Sequence, residues 1–172
     1  MNKLKIILLV NLVCLIHYCT WFTSLNKLET LVKQSPQDPV LHFRLGNAYY
    51  KKSILDETSY DKDLLNKALA EYKLVTKLEP QFARAFGKIG LIQRDLGKYE
   101  EAKKNLLKAL KIDPKLKEEA KALAVIYYNE GVQAINSSNY TLGMQKFEQV
   151  LKLKPDFTKA QKNLAIAYYN LG

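Results

Sequence analysis

The sequence predicts an all-α chain built from repeated helix hairpins, and three observations carry that prediction. Four prolines, Pro36, Pro80, Pro114 and Pro155, each carry the same residue types at fixed distances on either side. At 48% hydrophobic and 26% charged residues, the composition is that of an ordinary globular protein. With 7 Gly and 5 Pro in 172 residues there is no linker tract, and the length suits one medium domain.

Counting from the prolines makes the repeat explicit. Ten residues after each stands a small residue: Gly46, Gly90, Ala124 and Ala165. An aliphatic residue precedes each of these, at Leu45, Ile89, Leu123 and Leu164, and Tyr49, Gln93, Tyr127 and Tyr168 follow three later. Twelve residues before each proline come Ser24, Ala68, Ala102 and Gly143, followed four later by Leu28, Tyr72, Leu106 and Phe147. This order of small, aromatic and proline positions resembles the tetratricopeptide repeat, a 34-residue helix-turn-helix unit. Ala83 to Leu116 fits it without gaps, with Phe86, Ile89, Gly90, Gly97, Tyr99, Ala102, Ala109 and Pro114 at family positions. The resemblance implies a right-handed α-solenoid of about three hairpins with a half-unit at each end, and the apolar run in the leader adds an N-terminal hydrophobic helix ahead of it. Such hairpins bury their apolar faces by stacking on one another.

Taken in order, residues 1–23 form a leader. Lys3 and Lys5 precede an apolar run from Ile6 to Ile16 broken only by Asn11, the n-region and h-region of an export signal. His17, Tyr18, Cys19 and Trp21 make a poor cleavage site, so residues 6–22 stand as an uncleaved membrane anchor or a cleaved signal peptide. Lys3 and Lys5 favour a cytoplasmic N-terminus and an extracytoplasmic body, periplasmic or lumenal; cleavage would make the body secreted. The array then covers 24–172: a half-unit at 24–36, repeats at about 39–82, 83–116 and 117–157, and a terminal helix at 158–172. Asp38-Pro39 reads as a cap followed by Pro at the first helical position. The proline spacings are 44, 34 and 41, which places ten extra residues near Lys51–Lys67 and seven near Gly131–Asn139. Seven residues are close to two helical turns, so the second insertion reads as a helix extension. Ile166, Tyr168 and Tyr169 make the terminal helix too apolar for a clean solvent face, which raises self-association through it.

Enzyme chemistry finds little to work with, and the chain is read as a non-enzyme without cofactor or metal. Both cysteines lie in the leader, and His42 is the one histidine beyond residue 19. His42 occupies a position where the family has a bulky aromatic, which reads as packing. Asp61-x-Asp63 lacks the glycine and glutamate of a calcium loop, and no Gly-rich phosphate loop is present. What remains is a surface. The resemblance implies a concave groove lined by the first helix of each hairpin, here Phe43, Asn47, Tyr50, Arg84, Leu91, Arg94, Lys121, Val125, Tyr128, Lys162 and Tyr169. This mixture of basic and aromatic side chains suits a partner-protein segment, peptide or helix, with acidic and apolar residues. Phe43 and Lys88 stand where the family's chaperone-tail clamp needs Lys and Asn, which argues against that subtype. The function expected is therefore a tethered or exported protein-protein interaction scaffold for assembly of a membrane or envelope complex. The alternative is a basic module docking on anionic lipid or polymer, because Lys103, Lys104, Lys108, Lys111, Lys115, Lys117 and Lys121 crowd one stretch of a chain whose net charge is +10. Glutamates and leucines alternate with them and no aromatic platform is interleaved, so no nucleic-acid partner is expected.

Overall fold

A computed structural model describes residues 25–55 and 59–171. The expected leader anchor lies outside these residues. None of the described helices is long and apolar enough to cross a membrane.

Eight helices account for nearly all of the described chain: α1 (25–34), α2 (Pro39–Ser53), α3 (Lys62–Leu78), α4 (Ala83–Asp95), α5 (Tyr99–Ile112), α6 (Lys117–Asn136), α7 (Tyr140–Leu153) and α8 (Thr158–Leu171). Their starts follow local chemistry. The Asp38 carboxylate accepts from the Val40 and Leu41 N–H groups at 2.8 and 3.1 Å, with Pro39 at the first helical position. Asp61 caps α3 in the same way, and the Asn139 side chain accepts from Leu142 N at the start of α7. The chain divides into two compact units, one running to Glu79 and the other from Pro80.

In the first unit α2 and α3 pair as a hairpin. Gly46 lies against the Tyr72 ring so closely that an added Cβ would stand 2.8 Å from Tyr72 Cε1. The Tyr72 hydroxyl donates to Asn47 Oδ1 at 2.8 Å, and burial raises the phenol's pKa above its ordinary value. The ten extra residues lengthen both helices and the connection between them, which an isolated antiparallel bridge pins at Ile54 and Tyr60. His42 is buried: Nδ1 lies 2.6 Å from Glu71 Oε2 and Nε2 3.0 Å from the Pro36 carbonyl. One ring nitrogen thus ties α2 to α3, and the other ties α2 to the turn that precedes it.

The second unit contains two hairpins, α4–α5 and α6–α7, followed by α8 on α7. Gly90 meets Leu106, where an added Cβ would lie 2.7 Å from Leu106 Cγ. Gly131 meets Phe147 in the same way, at 2.7 Å from Cε1. Each glycine precedes its partner by 16 residues, so the two hairpins share one register. Their turns also match. Gly97 and Ser138 sit at φ 74 and 58, and Lys98 and Asn139 each donate to a carbonyl five residues back at 2.8 Å. This corrects the placement of the second insertion. The seven extra residues are helical, since α6 has 20 residues to the 13 of α4, but they lie ahead of Gly131, not behind it. Ala124, expected at the hairpin crossing, joins Val150 and Ala160 in the α6–α7–α8 core instead.

The insertion gives α6 two successive roles. Its first half contributes Ala122, Leu123 and Ile126 to a core with Leu91, Ala102 and Leu106. Its second half takes Phe147 against Gly131 and Ile135 against Gly143. At 1.5 Å per residue, seven residues step α7 along α6 by roughly 10 Å relative to the regular stagger. Two cavities open where α6 outruns its neighbours. One, of about 570 Å³, lies at the α6 start and is lined by Pro114, Lys115, Lys117, Ala120, Lys121, Leu153 and Lys154. The other, of about 400 Å³, lies beside Tyr99, Glu100, Asn129 and Glu130.

Candidate partner-binding surface

The residues expected to line a groove fall on the first helix of each hairpin, at helical spacing. In the first unit Phe43, Asn47 and Tyr50 share a face of α2, and all three are half-buried. Each is committed: Phe43 packs tilted on Tyr72 with centroids 5.6 Å apart, Asn47 accepts the Tyr72 hydroxyl, and Tyr50 stacks on Tyr60 at 6.3 Å.

In the second unit the expected residues separate into three groups. Arg84, Lys121, Lys162 and Tyr169 are exposed, Tyr169 at 87%. Among the described residues, none of the three cations forms an ion pair. Val125, Tyr128 and Arg94 are half-buried, and the last two are held internally. Tyr128 stacks on Phe157 at 5.2 Å and accepts a hydrogen bond from Asn163 Nδ2, while Arg94 grips Asp95 through Nε and Nη2 at 2.8 and 2.6 Å. Leu91 does not line a groove. It is 4% exposed, because the first half of α6 closes over it.

The lysine-rich stretch also divides. Lys103 Nζ reaches Glu130 Oε1 at 2.5 Å and Glu100 Oε1 at 2.8 Å, while Lys146 Nζ stands 2.6 Å from the other Glu130 oxygen. Burial alone would raise the Glu130 pKa, but hydrogen bonds from Lys103 and Lys146 outweigh it and hold the carboxyl below its ordinary value. Lys103 shows the converse: burial lowers it, hydrogen bonds to Glu100 and Glu130 overrule that, and its pKa is raised. Lys108 Nζ sits 3.9 Å from the Phe86 ring centroid. Lys115, Lys117 and Lys121 do none of this; together with Lys154 they rim the cavity at the α6 start. Of these four, Lys121 was expected in the groove, Lys115 and Lys117 only in the basic stretch, and Lys154 in neither. Reading the register backwards from Phe147 to Gly131 would have exposed the step that gathers them.

No group of three or more His, Cys, Asp or Glu among the described residues is arranged to hold a metal ion.

The class that these observations define is a chain of antiparallel helix hairpins with a small residue at each crossing, the fold of tetratricopeptide-repeat proteins. Residues 83–116 match the family model for the tetratricopeptide repeat. The chain is similar to the crystal structure of MamA protein, with a TM-score of 0.61 at 17% identity, covering 91% of this chain and 76% of that one. It is likewise similar to TTC0263, a thermophilic TPR protein in Thermus thermophilus, with a TM-score of 0.53 at 22% identity over 90% and 76% of the two chains. A third similar structure is YrrB, described as a TPR protein with an unusual peptide-binding site, with a TM-score of 0.54 at 17% identity over 84% and 66%. Identities this low speak for the fold alone. No curated protein matches the chain.

Proposed function

We propose that this chain is a protein-binding scaffold, tethered to a membrane or exported through residues 1–23, that holds a partner segment during assembly of a membrane or envelope complex. The observation that carries the reading is the exposed set on the first helices of the second unit: Arg84, Lys121 and Lys162 without ion-pair partners among the described residues, and Tyr169 almost fully exposed. Cations and an aromatic on one class of helix face complement an acidic and apolar segment. The body is placed on the extracytoplasmic side by the same proposal, from Lys3 and Lys5 ahead of the apolar run.

A cross-linked pull-down from membranes with the full-length tagged chain, beside Arg84→Glu/Lys162→Glu, tests the reading. A partner captured by the parent and lost from the folded variant is the expected result. Identical partners with both proteins would sink it. The lipid-docking alternative is weakened because Lys103 and Lys108 are spent on Glu130 and Phe86. Flotation with anionic vesicles across a salt series checks it directly.

A further inference from the structure

We infer that the notch at the start of α6 is a second docking site, for an acidic peptide segment carrying an apolar side chain between carboxylates. The inference rests on the protein-binding reading and adds to it a second place for an acidic and apolar segment, with Lys121 shared between the notch and the exposed set on the first helices.

The notch exists because of the two-turn step. α7 ends at Leu153 while α6 runs on to Lys117, so the first turns of α6 extend beyond the end of α7. Four lysines, Lys115, Lys117, Lys121 and Lys154, surround an apolar floor of Pro114, Ala120 and Leu153. Among the described residues no carboxylate lines the cavity, and the nearby acids make other contacts. Glu118 pairs with Lys88 at 3.3 Å, Glu119 is buried over Gly87, and Asp113 accepts the Lys115 N–H. None of the four ammonium groups forms an ion pair among the described residues. Lys154 makes one further contact, over the Phe157 ring at 5.8 Å. Four like charges around one concavity raise each other's free energy, and an anion relieves all of them together.

The shape selects the kind of anion. About 570 Å³ holds one large side chain or a small group of them. The floor takes an aliphatic or aromatic residue, and the rim reaches charges on either side of it. Lysines are separate point charges without the planar fork of arginine, so the rim suits several independent carboxylates better than one bidentate phosphate. A membrane presents a flat charged surface and would leave the concave apolar floor unfilled.

The test uses the full-length chain in a neutral detergent and fluorescein-labelled acetyl-Glu-Glu-Leu-Phe-Glu-Glu-amide, read by anisotropy. Binding is expected to weaken at least about ten-fold in Lys117→Glu/Lys154→Glu, and to stay within about two-fold of the parent in Lys162→Glu/Tyr169→Glu. The peptide with Gln in place of Glu is expected not to bind. Lys117→Gln/Lys154→Gln, with helix content checked by circular dichroism, should fall between parent and reversal. Equal affinity in the reversal variant, or no binding at about 1 mM peptide, overturns the notch while leaving the pull-down result for the first-helix face intact. Flotation with phosphatidylserine vesicles that is lost in the reversal variant, without peptide binding, also overturns it and assigns the lysines to lipid.

Discussion

Gly131 has no room for a methyl group: its Cβ position is 2.7 to 3.0 Å from three atoms of the Phe147 ring. Gly131→Ala is therefore expected to cost roughly 1–3 kcal/mol by forcing the ring off its seat. Urea titration followed by circular dichroism measures this, and Ala134→Gly on the same helix calibrates the smaller propensity effect of about 1 kcal/mol. Glu130 supplies a second prediction. A carboxyl held below its ordinary value contributes stability that is complete above about pH 4.3, the unfolded value, and is lost as pH falls through the lower folded value. The raised Lys103 works in the opposite direction, contributing fully below about pH 10.4 and losing its share as pH rises through the folded value. Glu130→Gln is expected to destabilise by roughly 1–2 kcal/mol at neutral pH and to flatten both limbs of the stability profile. A variant with the parent's full acid limb would show that the carboxylate stands idle.

At the scale of the element, α6 is written in two dialects. The side facing α5 is apolar in its first half, with Ala122, Leu123 and Ile126, and polar seven residues on, with Asn129, Glu130 and Gln133. Deleting 117–123 preserves helical phase to within about 20°, yet it brings those three polar side chains onto Leu91, Ala102 and Leu106. The deletion is expected to cost roughly 3 kcal/mol or more, and adding Asn129→Ala, Glu130→Leu and Gln133→Ile should restore the melting temperature. Failure of the rescue would mean that α6 is not read in heptad steps. The same helix marks the limit of what sequence reading reached. Hairpin order, the α2 cap and the fact that the seven residues are helical were all legible from proline spacing and Asp38-Pro39. The register was not, because Ala124 and Gly131 are both small and stand two turns apart on one face, so periodicity alone cannot choose between them. Leu91 was misplaced for a related reason, since its burial depends on a neighbour whose position the repeat pattern left ambiguous.

For the whole molecule, the division at Glu79–Pro80 gives the two units unequal means of standing alone. The second owns two hairpins, α8 and two core clusters, whereas the first has one hairpin and α1 among its described elements. Repeat arrays need several stacked units to offset the ordering of each. A fragment of 80–172 is expected to unfold cooperatively in urea, and a fragment of 25–79 to show little fixed helix. A cooperative 25–79 would overturn this. The first unit has a compensating asset in the connection between α2 and α3. Leu55 N donates to Ser59 O at 3.1 Å and Asp61 N to Ser53 O at 2.7 Å, and the Ile54–Tyr60 bridge lies between these two bonds. The ends of the connection are already clasped, so chain added between Leu55 and Ser59 costs only the slow logarithm of loop length. That makes the site a natural port for grafting: an epitope, a fluorophore or a whole domain can be carried there without prising apart the hairpin that bears it.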